Sequence, residues 1–597
     1  MPKKNDFVTE GTLLLEYIGK AYDVIIPDGI TAIDEYAFCE CESIKSVVLP
    51  PSVTEIGEGA FSCCSALETI TIPATVAKIS RGAFYQCTAL KNILISDLSS
   101  WVQIDFEDQW SNPVYYARAL TLNGELLTPC IKVPAESCTI KQFTLSYLSD
   151  LEQVVLPDGI SAIADSAFEG CKKLATISFP GTLETIGKSA FAGCASLVEV
   201  HIPNSVKKID KRAFFWCSNL VDIVLPFGLK EIEDSVFQGC SSLVTIEIPK
   251  DLTQIGGLAF SDCGHLKEIV IPDGVTTIGG SAFKGCSSLS RITLPLHIED
   301  IGIYAFSGCT ALQFNQIGNG SYLGTMQNPA FYLLKAIDQT ITDIKIPDST
   351  RIIAERAFFE CRNLKEITVP DGVTTINTQT FCGCRSLESV DLPDSITSIG
   401  EESFNACYAL RELRIPEKLL NIGNNAFDGC DRIDDLVLPS SVVSMGRYAF
   451  SGKHTSFGDC LYLGNEKNPY HVLVRSTNED RETIEIHEDT KVIAAYAFAG
   501  HGRITKVTMP KGIEYVCEWA FNDCEKLKTV TIPKTCKRIN DAAFYGCSAL
   551  KNVKILNGDI LLGESVFRRC GEVTITAPAS SQIKEYVEKA GLTFVGR

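Results

Sequence analysis

The sequence has few charged residues and no long apolar run, and each absence excludes a class of protein. Charged residues make up 21% of the 597 residues, whereas 45% are hydrophobic. A chain this apolar can offset the entropy cost of ordering, so intrinsic disorder is excluded. No run of eighteen apolar residues occurs, which excludes an ordinary transmembrane helix. We therefore expect a folded chain that does not insert into a membrane.

Basic residues are in the minority. The chain has 54 Lys and Arg against 73 Asp and Glu, a net charge of −19. This charge repels phosphate backbones, so nucleic acid is not an expected partner. The first twenty residues lack a signal-peptide pattern, because Glu16 interrupts their only apolar run. A cytoplasmic location is therefore expected, with the cell surface or secretion by an unrecognised route as the alternative.

Motifs of common enzyme chemistry are also missing. The phosphate-binding GxxxxGK[ST], the nucleophile elbow GxSxG and the zinc motif HExxH do not occur. Acidic residues are spread over solvated positions rather than paired. We predict no enzymatic activity, no catalytic residues and no cofactor.

What the sequence does have is a 23-residue period. Segments 203–225, 226–248 and 249–271 align from proline to proline without a gap. Residues 134–156 keep the apolar phase but lack the phenylalanine and the cysteine of the unit. The phenylalanines that mark the other units are Phe38, Phe61, Phe84, Phe168, Phe191, Phe214, Phe237, Phe260, Phe283, Phe306, Phe358, Phe381, Phe404, Phe427, Phe450, Phe498, Phe521, Phe544 and Phe567.

Each unit is too irregular for one helix and too long for one strand, so we interpret it as one coil of a solenoid. Before each proline, residues such as Ile246 and Ile248 alternate at period two, which predicts a principal strand. The proline then ends that strand. A second short extended segment follows, and Ala-Phe-x-x-Cys fits one helical or 3-10 turn with the phenylalanine inward. Stacked coils bury one another's apolar side chains.

These units resemble the BspA-like class of leucine-rich repeats, whose unit reads roughly IPxxVTxIGxxAFxxCxxLxxI, over about nine-tenths of the chain. The resemblance implies a right-handed repeat solenoid of about twenty units, with a parallel β-sheet along one face. It also implies microbial surface proteins that bind host or bacterial proteins, and it carries no catalytic residues. We therefore expect a protein-binding scaffold, with a surface or secreted adhesin as the alternative. The sequence contains no signal of an oligomeric state.

The period is broken three times, by excursions that the sequence predicts to project hairpins from the solenoid. Asn123-Gly124 is the strongest of the turn signals. Excursions 2 and 3 share Tyr-Leu-Gly and Asn-Pro. At the N-terminus, Gly19-Lys20 predicts a hairpin turn, and a helix and a strand are expected at the other end. The predicted organisation is cap 1–26, block 1 27–95, excursion 1 96–133, block 2 134–312, excursion 2 313–342, block 3 343–452, excursion 3 453–483, block 4 484–573 and cap 574–597.

Cysteine and histidine are the candidate metal ligands. Seventeen of the 25 cysteines lie three residues after the phenylalanine of a unit. They form one column rather than convergent pairs, so we interpret them as buried, inert thiols, although a coil spacing of about 4.8 Å permits disulfides. His454, His471, His487 and His501 lie near Cys460, but their spacing fits no ligand motif. No metal site is predicted.

The positions eight and ten residues after each phenylalanine point out of the principal sheet, because strand side chains alternate between faces. In block 2 they are acidic with interspersed valines, which suits a basic protein surface. The alternative is a solvated sheet face without a partner. The candidate binding residues are Glu199, His201, Asp222, Val224, Thr245, Glu247, Glu268, Val270 and Arg291.

Excursion 1 contains a rival site, an aromatic cluster formed by Trp101, Phe106, Trp110, Tyr115 and Tyr116. Aromatic side chains dominate many binding hot spots, and a carbohydrate-binding module is the alternative function that such a cluster would serve. The same side chains also fill the interior of a long excursion, and packing is the interpretation that we favour.

Overall fold

The computed structural model is a parallel β-solenoid with little helix, as the sequence predicts. It describes residues 6–135, 137–295, 297–325, 327–433, 436–579 and 581–596, so residues 1–5 of the predicted N-terminal cap and Ser580 and Arg597 of the predicted C-terminal cap lie outside it. The chain divides into two compact units, Met1–Gln313 (unit 1) and Phe314–Arg597 (unit 2). Among the described residues, no helix is long and apolar enough to span a bilayer.

Short strands recur once or twice in most coils. Those of unit 1 are β1 Phe7–Glu10, β2 Leu13–Tyr17, β3 Asp23–Ile25, β4 Ala32–Ile33, β5 Ser46–Val48, β6 Glu55–Ile56, β7 Thr69–Ile72, β8 Lys78–Ile79, β9 Asn92–Ile95, β10 Asp105–Phe106, β11 Thr121–Leu122, β12 Glu125–Leu126, β13 Cys130–Lys132, β14 Thr139–Ile140, β15 Gln153–Val155, β16 Ala162–Ile163, β17 Thr176–Ser178, β18 Thr185–Ile186, β19 Glu199–His201, β20 Lys208–Ile209, β21 Asp222–Val224, β22 Glu231–Ile232, β23 Gln254–Ile255, β24 Glu268–Val270, β25 Thr277–Ile278, β26 Arg291–Thr293 and β27 Asp300–Ile301.

Unit 2 continues the numbering. Its strands are β28 Asn315–Ile317, β29 Gly320–Leu323, β30 Tyr332–Ala336, β31 Ile352–Ile353, β32 Glu366–Thr368, β33 Thr375–Ile376, β34 Ser389–Asp391, β35 Ser398–Ile399, β36 Glu412–Leu413, β37 Asn421–Ile422, β38 Ser444–Met445, β39 Thr455–Phe457, β40 Cys460–Leu463, β41 Val472–Ser476, β42 Thr483–Glu485, β43 Val492–Ile493, β44 Lys506–Thr508, β45 Tyr515–Val516, β46 Thr529–Ile532, β47 Arg538–Ile539, β48 Asn552–Ile555, β49 Leu561–Leu562, β50 Thr574–Ala577 and β51 Thr593–Gly596. The helices are α1 Leu98–Trp101, α2 Val114–Ala117 and α3 Ser581–Lys589.

Two ladders of parallel strands run along the coils. The principal ladder contains strands such as β19 and β21, which pair with Glu199 opposite Asp222, a register of 23 residues. The second ladder consists mostly of two-residue strands, such as β22 and β23, with Glu231 opposite Gln254. The predicted second extended segment is therefore confirmed. The principal ladder is interrupted, since residues 243–249 form no strand.

The closing turn of each coil alternates between two kinds of hydrogen bond. In coil 226–248, the amides of Ser235, Phe237 and Gly239 donate to carbonyl oxygens of the next coil at 2.8–2.9 Å. The amides of Gln238 and Cys240, which follow Phe237 and Gly239, donate three residues back, as in a 3-10 turn. No continuous helix forms, because Ser235 and Gly239 adopt left-handed φ values of 59° and 77°.

The core is a column of phenylalanines flanked by a column of thiols. Neighbouring rings of the Phe column stack with centroids 4.9–5.9 Å apart. Most thiols of the cysteine column donate to the carbonyl oxygen of the residue 26 positions earlier, as Cys217 does to Phe191 at 3.2 Å. The same bond recurs in all four blocks. Leu145 takes the place of the phenylalanine in coil 134–156.

The N-terminal hairpin exists, but its turn was predicted at the wrong place. Strands β1 and β2 pair around Gly11 and Thr12, and Gly11 has the positive φ of 59° that a tight turn needs. Gly19-Lys20 is not a hairpin turn, because β2 pairs on its other edge with the parallel β4. Gly19 lies against the ring of Tyr17.

A helix and a strand lie near the C-terminal end of the sequence, where the sequence predicts them. Strand β51 extends the principal ladder in parallel with β50. Helix α3 buries Ile583 and Val587, and it places Tyr586 with its ring centroid 6.5 Å from that of Phe567, the last ring of the Phe column. The backbone leaves the helix at Gly591, whose φ of 66° suits a helix C-cap.

The excursions contain the predicted hairpins. Those of excursions 2 and 3, however, do not project from the solenoid as predicted. Strands β28–β29–β30 and β39–β40–β41 form antiparallel sheets whose third strand continues into the parallel second ladder. Strand β29 is buried along its whole length. These hairpins are packed into the solenoid because Tyr322 and Tyr462 fill its interior. In excursion 1, Asn123 and Gly124 form the predicted turn between β11 and β12.

Candidate functional site

The exposed face of the principal ladder in unit 1 is built by strand alternation. In β19, Val200 is buried between the exposed Glu199 and His201. Strand β21 repeats the pattern, with Ile223 buried between Asp222 and Val224. Because the coils are in register, equivalent side chains align in two columns, one through Glu199 and one through His201.

All nine candidate binding residues lie on this surface and are exposed. Thr245 and Glu247 were expected on a principal strand, and this is wrong, since they lie in the interrupted coil. That coil stays in the stack because Val244 accepts an amide hydrogen bond from Lys267 at 3.1 Å. The interruption leaves both side chains on the same face. We call this surface the acidic–valine face, formed by Glu199, His201, Asp222, Val224, Thr245, Glu247, Glu268, Val270 and Arg291.

The acidic–valine face combines unneutralised charge with exposed apolar surface. Within the described part of the chain, Glu268 is the one carboxylate of this face with an ion-pair partner, Arg291. Val224 and Val270 are 44% and 66% exposed, and Val221, at the entry to β21, is exposed as well. The face can therefore attract a cationic group and bury an apolar one next to it.

Sequence reasoning missed a related surface in unit 2. Strands β32, β34 and β36 line a groove of about 740 Å³, and their exposed residues include Glu366, Asp391 and Glu412. The groove adjoins residues 341–348, which form no strand. The signal was available, because all three acidic residues occupy the outward positions eight or ten residues after a phenylalanine. The sequence prediction covered block 2 alone.

The rival aromatic cluster in excursion 1 is largely interior. Trp101 and Phe106 are buried, and the Trp101 indole N–H donates to the Thr144 carbonyl at 2.8 Å. These two residues have no surface with which to contact a partner. The hydroxyl of Tyr116 accepts the Gln86 amide at 2.8 Å, and burial raises the pKa of Tyr116.

The remaining two aromatic side chains of the cluster are half-buried and contact other rings. Trp110 packs edge-to-face on Tyr85, with centroids 5.6 Å apart. Tyr115 packs edge-to-face on Tyr147 at 4.9 Å, and the Arg118 guanidinium covers both rings at 5.0–5.1 Å. The packing interpretation fits these contacts. A flat aromatic platform of the kind that stacks on sugars is not formed by these five side chains.

The four histidines that were considered as metal ligands each contact different residues. His471 is buried with Nε2 2.9 Å from the Val442 carbonyl, and His487 stacks on Tyr470 with centroids 3.6 Å apart. Burial lowers the pKa of His454, and His501 is buried beside Phe498. Across the described ranges, no three His, Cys, Asp or Glu side chains converge as metal ligands.

The chain is similar to known repeat proteins. A family profile described as BspA type leucine rich repeat region (6 copies) matches residues 16–108, 138–264, 230–341, 337–456 and 477–589. No curated protein matches the chain. A leucine-rich repeat protein from Bacteroides ovatus is 22% identical with a TM-score of 0.29, covering 90% of this chain and 92% of that chain. A leucine rich cell surface protein from Faecalibacterium prausnitzii is 23% identical with a TM-score of 0.31, covering 69% and 91%.

Proposed function

The chain belongs to the BspA-type leucine-rich repeat family, and from that premise we propose that it is a non-catalytic scaffold that binds a protein through the acidic–valine face. The observation that carries the proposal is the contrast between the two sides of one sheet. The inward residues of β19, β21 and β24 are Val or Ile, whereas the outward ones change from coil to coil. Solenoids of stacked repeats commonly bind along such surfaces.

The composition of the face defines the partner that it suits. Three of its carboxylates, on Glu199, Asp222 and Glu247, are exposed without a basic partner among the described ion pairs. The exposed Val224 and Val270 flank Glu247 in the column through His201, next to the column that contains Glu199 and Asp222. A partner with Lys or Arg side chains around an apolar residue would match this pattern, with charge guiding association and valine contact slowing dissociation.

The test is affinity capture with the full chain. A face variant combines Glu199→Lys, Asp222→Lys, Glu247→Lys and Glu268→Lys. Its matched control carries the same charge change at exposed positions off the face, namely Asp158→Lys, Glu231→Lys, Asp273→Lys and Glu299→Lys. We expect the wild type and the control to capture the same protein and the face variant to lose it.

Two further measurements separate charge from apolar contact. For the captured partner, association with the wild type should slow as salt is raised, because exposed charges are screened over about 8 Å at physiological ionic strength. Val270→Asp should speed dissociation without slowing association. Capture of the same partner by the face variant and the wild type would contradict the proposal.

A further inference from the structure

Two cysteines lie outside the thiol column in adjacent coils of unit 1. Cys39 directly follows Phe38, and Cys63 lies two residues after Phe61. Both side chains are partly exposed, whereas the neighbouring column thiol, Cys64, is buried. Reagents in solution can therefore reach this pair but not Cys64 beside it.

One serine side chain, on Ser62, lies next to both cysteines. Ser62 stacks on Cys39 at the 23-residue period, and its Oγ lies 3.7 Å from the Cys63 Sγ. The Ser62 side chain also partly offsets the rise in the pKa of Cys39 that burial causes. The two coils are held together here, since the Glu40 amide donates to the Ser62 carbonyl at 2.9 Å. The two thiols therefore flank one small group.

The spacing suits a disulfide. Cys63 is one coil and one residue away from Cys39. A coil spacing of about 4.8 Å combined at right angles with a Cα step of about 3.8 Å gives a Cα separation of roughly 6 Å. Disulfides span Cα separations of about 4.4–6.8 Å. A bond between the sulfurs needs only that both side chains turn toward each other past Ser62.

Metal binding is the other chemistry of paired thiols, and the geometry does not favour it. No third His, Cys, Asp or Glu converges with these two among the residues that the structure describes. Burial raises the pKa of Cys39, and a negative charge on Cys63 adds to that effect. Two adjacent thiols without a third ligand suit exchange with a disulfide instead, because that reaction needs two protein sulfurs alone.

We propose that Cys39 and Cys63 are a reactive dithiol that small-molecule disulfides convert to an intramolecular disulfide. One thiolate attacks a sulfur of the reagent and releases the first reagent thiol. The second cysteine then loses its proton and attacks the mixed disulfide, which releases the second. The balance is one protein dithiol plus one reagent disulfide giving one protein disulfide plus two reagent thiols. The bond would tie the first coil of unit 1 to the second, at the end of a stack, where local opening begins.

The experiment is peptide mapping of the full chain after incubation with oxidised glutathione and alkylation of the remaining thiols. Trypsin separates the pair onto peptides 21–45 and 46–78, and fragmentation of the linked species assigns the bond. We expect a Cys39–Cys63 link in the wild type. Cys39→Ser and Cys63→Ser should instead retain glutathione on the cysteine that is left. Cys382→Ser, at another partly exposed cysteine outside the column, should leave the link intact.

Hydrogen exchange then tests whether the disulfide ties the first coil of unit 1 to the second. Oxidation should slow exchange of residues 7–48 by about tenfold or more in the wild type and leave it unchanged in Cys39→Ser. The absence of a linked species at equilibrium would overturn the dithiol proposal, as would links joining Cys39 to Cys41 or Cys63 to Cys64. A Cys39–Cys63 link with unchanged hydrogen exchange would overturn the claim that the bond ties the two coils together.

Discussion

Among single side chains, the stacked phenylalanines carry most of the packing of each coil. Phe237 is fully buried, with the rings of Phe214 and Phe260 at 5.9 and 5.4 Å on either side. Phe237→Ala would open a cavity that rigidly spaced coils cannot close. We expect it to lower the free energy of unfolding by about 3–5 kcal/mol, measured by urea denaturation.

The matched control lies in the same coil. Phe227 follows the proline of that coil and is 73% exposed. Phe227→Ala should change the free energy of unfolding by less than about 0.5 kcal/mol. Equal losses for the two variants would show that the Phe column is not the main source of packing.

Because of the buried thiols, we expect the free energy of unfolding to fall at alkaline pH. Burial raises the pKa of Cys87, Cys171 and Cys240 to about 12 in the folded state, above the ordinary value of about 8.5. The protonated thiol is the favoured form in the fold, so this contribution is complete below about pH 8.5 and falls as pH rises toward 12.

Urea denaturation between about pH 7 and pH 10.5 checks the linkage. Each such thiol should contribute up to about 1.4 kcal/mol of lost stability per pH unit above the unfolded-state pKa. Cys240→Ala removes one titrating group, so its stability should decline less steeply than that of the wild type. Parallel slopes for the two proteins would refute the assignment.

Among the strands and turns, the corner after a second-ladder strand is a close contact between coils wherever it holds a glycine of the Gly279 type. Gly279 follows β25, and a Cβ there would collide with the backbone nitrogen of Gly257. Its amide donates to the Ile255 carbonyl at 2.8 Å, so the backbone is not free to move away. We expect Gly279→Ala to destabilise the protein by about 1–3 kcal/mol in urea denaturation.

Gly257 provides the comparison, because it lies in the same stack with room for a side chain. The nearest atoms to a Cβ at Gly257 are 3.5 and 3.6 Å away, and its φ is not positive. Gly257→Ala should be neutral or slightly stabilising, since it restricts the unfolded chain. If both variants lose the same stability, close coil stacking is not the cause.

The strands were predictable from the sequence, whereas the turns between them were not. The proline and phenylalanine period located both ladders, because burial of one face imposes period two on each strand. Ser235 adopts left-handed φ without being glycine, since hydrogen bonds to the next coil impose that conformation. The N-terminal turn was misplaced because Gly19-Lys20 has the composition of a hairpin turn, whereas parallel pairing of β2 with β4 decides its conformation.

The candidate face was predictable for the same reason as the ladders. Outward positions follow from the period, so the exposure of Glu199 and Asp222 could be expected before the structure was known. The interrupted coil at Thr245 and Glu247 could not, because its sequence alternates as regularly as that of its neighbours. Local alternation therefore locates a face without establishing that every coil on it forms a strand.

Across the entire chain, three similar hairpins each begin a run of coils. In each, the last strand of the antiparallel sheet donates an amide to the alanine carbonyl of the following coil, at 2.8 Å from Tyr17, 2.8 Å from Ala336 and 2.9 Å from Ser476. The sequence related excursions 2 and 3 through shared motifs, but the N-terminal hairpin lacks those motifs. The three hairpins are therefore similar in how their backbones pair, not in their sequence motifs. We therefore expect each hairpin to act as a cap that covers the start of a run of coils.

These caps predict which fragments fold alone. Unit 2 begins with β28–β30, and its core includes Tyr322 and Leu333 from that hairpin. We expect fragment 314–597 to unfold cooperatively in urea and fragment 343–597, which lacks the hairpin, to aggregate or to lose most of that stability, because Ile353 and Phe358 lose their cover. Fragments 454–597 and 484–597 repeat the comparison at β39–β41, whose Tyr462 belongs to a second core cluster. Size-exclusion chromatography and urea denaturation measure both pairs, and equal behaviour with and without the hairpin would contradict the capping role.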